Sequence, residues 1–88
     1  MNKEKRKPRV PKPFDKRFGL YVKKKRMQKG WSQADLAEKF GNNYQNVSRL
    51  ERGEITPTLF WCYKLAEAFG TTLPVFLKDF EKKSKKEI

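Results

Sequence analysis

The chain has 88 residues, with 22 Lys and Arg against 10 Asp and Glu and no His, for a formal net charge of +12. That length accommodates one small domain and no separate catalytic or ligand-binding domain, and a lone Cys without His removes disulfide frameworks, the usual zinc ligand sets and the usual general base, so no enzyme, metal site or cofactor is expected. The charge excess points instead to a polyanionic partner, nucleic acid or an anionic membrane surface.

The single Cys fits a reducing compartment. No charged-then-apolar leader opens the chain, and the longest uncharged, largely apolar stretch, 55–63, is far too short to span a bilayer. A cytoplasmic, nucleoid-associated location is expected. In chain order, residues 1–13 read as a disordered arm, with six basic residues, Pro8, Pro11, Pro13 and almost nothing to bury except Val10. The arm is either solubilising charge or a segment that follows a phosphate backbone or enters a minor groove. Residues 14–80 are the predicted folded domain. Asp15 is placed to cap a first helix to about Gln28, stopped at Gly30, with Phe18, Tyr21 and Val22 on one face. Ser32, with Asp35 three residues on, predicts a capping box for a second helix ending at Gly41. Asn43 predicts the cap of a third helix from Tyr44 to about Arg52, closed by Gly53. Thr56-Pro57 predicts the start of a fourth helix to about Phe69, and Thr72 the cap of a fifth ending near Phe80. Residues 81–88 read as a frayed basic tail. No segment alternates like a strand, so the class is all-α, five short helices.

The charge is unevenly spread. Residues 15–30 contain seven basic residues and one acid, whereas 31–53 contain three of each. Within that neutral stretch lies the informative constellation: Gln33, Ala37, Gly41, Val47 and Leu50 at positions one, five, nine, fifteen and eighteen. A small Ala37 lets two helices cross closely, Gly41 makes the sharp exit between them, and Val47 and Leu50 anchor the later helix while its other face stays free. This is the helix-turn-helix pattern.

The stretch V-K-K-K-R-M-Q-K-G-W-S-Q-A-D-L-A-E-K-F-G, followed by V-S-R-L-E-R-G, T-P-T-L and K-L-A-E-A-F-G, resembles the Cro/repressor-type (XRE-like) helix-turn-helix family over roughly residues 18–77. Its opening is especially similar to lambdoid phage repressor DNA-binding domains. The resemblance implies a compact five-helix domain that binds operator DNA as a homodimer, with the third helix in the major groove. Gln45 and Arg49 are four apart and suited to adenine and guanine edges, and Tyr44 and Asn46 flank them. Gln33 at a helix N-terminus, Asn42, Asn43 and Arg52 are the candidate phosphate contacts. Lys23, Lys24 and Lys25 are candidates for supporting charge; which of them faces the duplex is open. The resemblance also implies a structural ion pair, Arg26 with Glu51, and a dimer surface at Ile55, Pro74 and Val75, with Phe76, Leu77 and Phe80 facing inward.

Two positions depart from the family pattern. Phe60 and Trp61 stand where polar residues are usual, either packed beneath the segment around Val10 and Phe14 or exposed for a second subunit; intramolecular packing is expected for Trp61. Trp31 and Cys62 are expected in the core. The expected partners are double-stranded DNA and a second copy, with no small-molecule ligand and no membrane. The alternatives are an antitoxin or restriction-modification controller of the same fold, a protein-binding adaptor, or a non-specific nucleic-acid or membrane-surface binder driven by residues 3–29.

Overall fold

Proline starts the first helix. The computed structural model describes residues 12–86, so most of the arm, including Val10, lies outside the described residues. Helix α1 (Pro13–Gln28) begins behind Lys12, which offers no side-chain cap. Pro13 has the φ a helix needs, and its missing N–H would have been unpaired there anyway. The expected cap, Asp15, is therefore a first-turn residue, 1 % exposed, where it accepts a hydrogen bond from Thr56 Oγ1 at 2.7 Å. That bond also corrects the fourth helix. With the Thr56 hydroxyl turned to α1, capping passes to Thr58, whose Oγ1 accepts from Trp61 N at 3.0 Å, and α4 spans Leu59–Ala68.

The next two helices form as their sequences predict. In α2 (Gln33–Phe40) the Ser32 Oγ accepts from Asp35 N at 3.0 Å, and Asp35 Oδ2 accepts from Ser32 N at 2.8 Å. Gly41 ends the helix at φ 81°, a left-handed value that costs glycine nothing. In α3 (Tyr44–Glu51) the Asn43 Oδ1 accepts from Asn46 N at 2.9 Å.

Helix α5 (Leu73–Lys86) runs well past the expected end at Phe80. Phe76, Phe80 and Ser84 are all buried and four apart, so the inward stripe continues into the segment expected to be a frayed tail.

Phe18 centres the core. Its ring has those of Phe14, Tyr21, Phe76 and Phe80 at centroid distances of 5.9, 6.5, 6.0 and 5.2 Å. Such pairs contribute about 0.5–1.5 kcal/mol each beyond area burial. Trp31 is partly buried and stacks on Phe69 at 5.6 Å. Trp61 packs within the chain, edge-on to Phe40 at 5.4 Å rather than against Phe14, while Phe60 is exposed. Cys62 is buried, which pushes its thiol pKa up.

Helix α1 packs on α3 and α5, α2 on α3 and α4, and α4 on α5. The contact that mounts α3 is at Gly19. A Cβ there would stand 2.8 Å from the Glu51 carbonyl oxygen and nearer still to that of Leu50, so only glycine lets the two backbones meet.

Candidate nucleic-acid interface

Helix α3 is split lengthwise. Val47 and Leu50 are fully buried, whereas Tyr44, Gln45, Arg49 and Arg52 are exposed. Gln45, Arg49 and Arg52 follow one another at spacings of four and three, a continuous outward stripe with Tyr44 beside it. The stripe carries donors in the planar fork and amide geometries that base edges accept.

Asn46 and Asn42 are half-buried and brace each other. Asn42 Oδ1 accepts from Asn46 Nδ2 at 2.6 Å and from Asn43 N at 2.9 Å. With Asn43 committed as the cap, these three asparagines stiffen the turn before the stripe, and each keeps amide capacity for a further contact.

The base of α3 is held by one buried cluster. Arg26 Nε and Nη2 donate to Glu51 at 2.7 and 3.1 Å, and Arg26 Nη1 donates to the Trp31 carbonyl at 2.7 Å. Gln33 Nε2 also donates to Glu51, at 3.1 Å. Glu51 is therefore shared by α1 and α2, which ties both to the end of α3, and Gln33 stands at the α2 N-terminus with a second amide hydrogen to give. The expected pair of Arg26 and Glu51 is present, with a third partner.

Arg52 is less free than its exposure suggests. Its guanidinium donates to Glu54 at 2.8 and 3.1 Å and also to Ser48. The hydrogen bond from Arg52 comes first among the causes holding the Glu54 carboxyl below its usual range, and the charge of Arg49 adds to it. Glu54 thus places a carboxylate against both arginines of the stripe, a feature the sequence did not single out.

The three consecutive lysines of α1 part company. Lys23 lies seven residues after Lys16 and three before Arg26, on the edge of α1 that borders α3. Lys16 was not anticipated; its backbone touches the turn at Gly53, and it lines a cleft with Arg52. The signal for it was the same seven-residue spacing. Lys24 and Lys25 face the other way. Lys25 Nζ lies 3.7 Å from Asp79 and over the rings of Tyr21 and Phe69 at 5.5 and 5.7 Å, so α5 holds it away from the α3 side.

Of the expected dimer residues, Pro74 and Val75 are exposed and Ile55 is partly buried, while Phe76 and Phe80 point inward. Leu59, Phe60 and Tyr63 on α4 add exposed apolar surface, of which only Phe60 stood out in the sequence. Among the described residues no helix is long and apolar enough to cross a membrane, and no group of His, Cys, Asp or Glu could hold a metal ion.

A family model described as helix-turn-helix matches residues 22–76. The chain is 38 % identical over 47 residues to an uncharacterised HTH-type transcriptional regulator, y4dJ, of Sinorhizobium fredii; the match covers 53 % of this chain and 61 % of that protein's length. Among solved structures, the restriction-modification controller protein C.AhdI from Aeromonas hydrophila is similar at TM-score 0.69 and 29 % identity, over 74 % of this chain and 98 % of that one. The controller protein C.Esp1396I, solved as a tetramer in complex with its natural 35 base-pair operator, is similar at TM-score 0.71 and 25 % identity, over 78 % and 91 %.

Proposed function

This chain belongs to the XRE-type helix-turn-helix family, and from that premise we propose that it is a sequence-specific, double-stranded-DNA-binding transcriptional regulator. It acts as a homodimer in the cytoplasm, at the nucleoid, and catalyses no reaction. The observation that carries this reading is the outward stripe of Gln45, Arg49 and Arg52 on a helix whose opposite side is wholly buried. Helix α3 enters the major groove, with Gln45 and Arg49 on base edges and Tyr44 and Asn46 beside them. Gln33, Asn42, Asn43 and Arg52 hold phosphates and set the register, supported by Lys16 and Lys23. The exposed apolar side chains of Leu59, Phe60, Tyr63 and Val75, with Ile55 and Pro74, supply the dimer surface. Two copies present their α3 helices to half-sites about one helical turn apart, roughly 34 Å.

Selection from random duplexes identifies the operator, and variants then test the reader. Arg49→Ala costs about 1–3 kcal/mol on the selected site and relaxes preference at one position. If Gln45→Ala and Arg49→Ala both keep wild-type discrimination between operator and random duplex, α3 is not the reading helix. A restriction-modification controller is the favoured kind of regulator, because C.AhdI aligns over 98 % of its own length at 29 % identity. Neighbouring genes for a nuclease and a DNA methyltransferase would support it, and an unrelated gene neighbourhood would leave the general regulator reading.

A further inference from the structure

The outward face of α4 is open to solvent. Cys62, Leu65 and Ala66 turn inward, and Trp61 leans on Phe40 of α2. Phe60, Tyr63, Lys64 and Glu67 are left on the opposite side, at spacings of three, one and three. That is the i, i+3, i+4, i+7 seam along which one helix packs on another. Phe60 is 66 % exposed and Tyr63 47 %, and a ring pair left this open marks a contact surface.

The charges on the seam say what covers it. Lys64 and Glu67 are the only charged residues of α4, so this face is neutral on a chain of net charge +12. Two copies repel each other over most of their surface, and here they do not. Lys64 Nζ lies 3.4 Å from Glu67 within the chain and 6.0 Å from the centre of the Phe60 ring. One charge of each sign on a single turn is complementary to itself when turned end for end. Across a two-fold axis, Lys64 of each copy meets the partner's Glu67. In that register the two helices are antiparallel, and Phe60 lies across from the turn at 70–72 that follows the partner's α4. Pro74 and Val75, both exposed, come next in the chain.

We propose that α4 lies on the two-fold axis of the homodimer, antiparallel to the α4 of a second copy, and that Lys64 and Glu67 exchange their pairing within the chain for pairing across the axis. This rests on the reading of the chain as a homodimer. It adds the element that sits on the axis and the charges that set its register. A helix bearing only one sign of charge satisfies half of the pattern, so the seam selects its own copy.

The test is the oligomeric state of the full chain, without DNA, by sedimentation equilibrium. Lys64→Glu and Glu67→Lys each place two like-charged pairs across the axis and weaken the dimer by about tenfold or more. An equimolar mixture of the two variants, one of them fluorescently labelled, forms a heterodimer with close to the wild-type constant, because opposite charges face each other again. Phe60→Ser, which leaves both charges in place, also weakens the dimer, and thermal midpoints check that each variant is folded. A mixture that dimerises no better than either variant alone would confine the pair to its own chain and overturn the proposal. A wild-type dimer that neither charge reversal nor Phe60→Ser disturbs would also overturn it and leave the homodimer reading standing. A wild-type chain that stays monomeric at every concentration would end both.

Discussion

On the proposed reading, Glu54 limits how tightly the α3 stripe holds DNA. It occupies the Arg52 guanidinium through two hydrogen bonds and lies within the field of Arg49. A carboxylate there also repels the phosphates that the two arginines attract. Glu54→Gln therefore tightens binding to operator and random duplex alike, by roughly two- to fivefold, since exposed pairs are weak and screened. Fluorescence anisotropy on both duplexes measures this, and a gain confined to the operator would show that Glu54 takes part in sequence preference. Arg26 is the contrasting case. Its three hydrogen bonds are internal, so Arg26→Ala leaves the Glu51 carboxylate buried and short of its main partner, at a cost of about 3 kcal/mol. Urea unfolding reads that loss, and the affinity per folded molecule changes little.

At the scale of helices, α5 is tied to α1 by Tyr21. Its hydroxyl donates to Asp79 at 2.7 Å, and burial first, then this bond and the Asp79 charge, raise the phenol pKa far above its usual value. The same bond, aided by Lys83 and Lys25, holds the Asp79 carboxyl below the usual carboxylate range. A carboxyl with a depressed folded pKa contributes stability that is present above its unfolded value, about 3.9, and lost as pH falls through the folded one. A phenol with a raised pKa contributes stability present below its unfolded value, about 10, and lost as pH rises further. The urea midpoint should therefore be level from about pH 5 to pH 8 and decline on either side, the buried Cys62 thiol adding to the alkaline limb, with a shallower acid limb in Asp79→Asn. A level acid limb in the wild type would count against it. The sequence revealed helices through local signals: Ser32 with Asp35, Asn43, and glycine at Gly41. It misled where a distant partner decided the outcome. Thr56 and Asp15 both look like caps, and each is taken by the other across 41 residues. The length of α5 was hidden because Phe80 and Ser84 gain their burial from α1 and the core. The direction of Lys25 depended on Asp79, which nothing nearby in sequence foretells.

For the whole molecule, the proposed function implies that the uneven charge divides the work of binding. Residues 1–11 include five basic residues, and the reading stretch 31–53 is neutral. Deleting 1–11 should weaken binding to every duplex and flatten its salt dependence, by about 0.9 in the log–log slope for each phosphate no longer neutralised. Operator preference should persist, measured as the affinity ratio of operator to random duplex across salt concentrations; its loss would mean that the arm reads bases. The arrangement of α1 against α3 adds a further consequence. The two helices touch backbone to backbone at Gly19, and the side chains that hold α3 there, Val47, Leu50 and Glu51, are all buried, so the mount needs no retuning when the outward residues of α3 change. If the proposed reading holds, Tyr44, Gln45 and Arg49 act as an interchangeable reading head on that mount, and new operators are open to this scaffold through exposed positions alone.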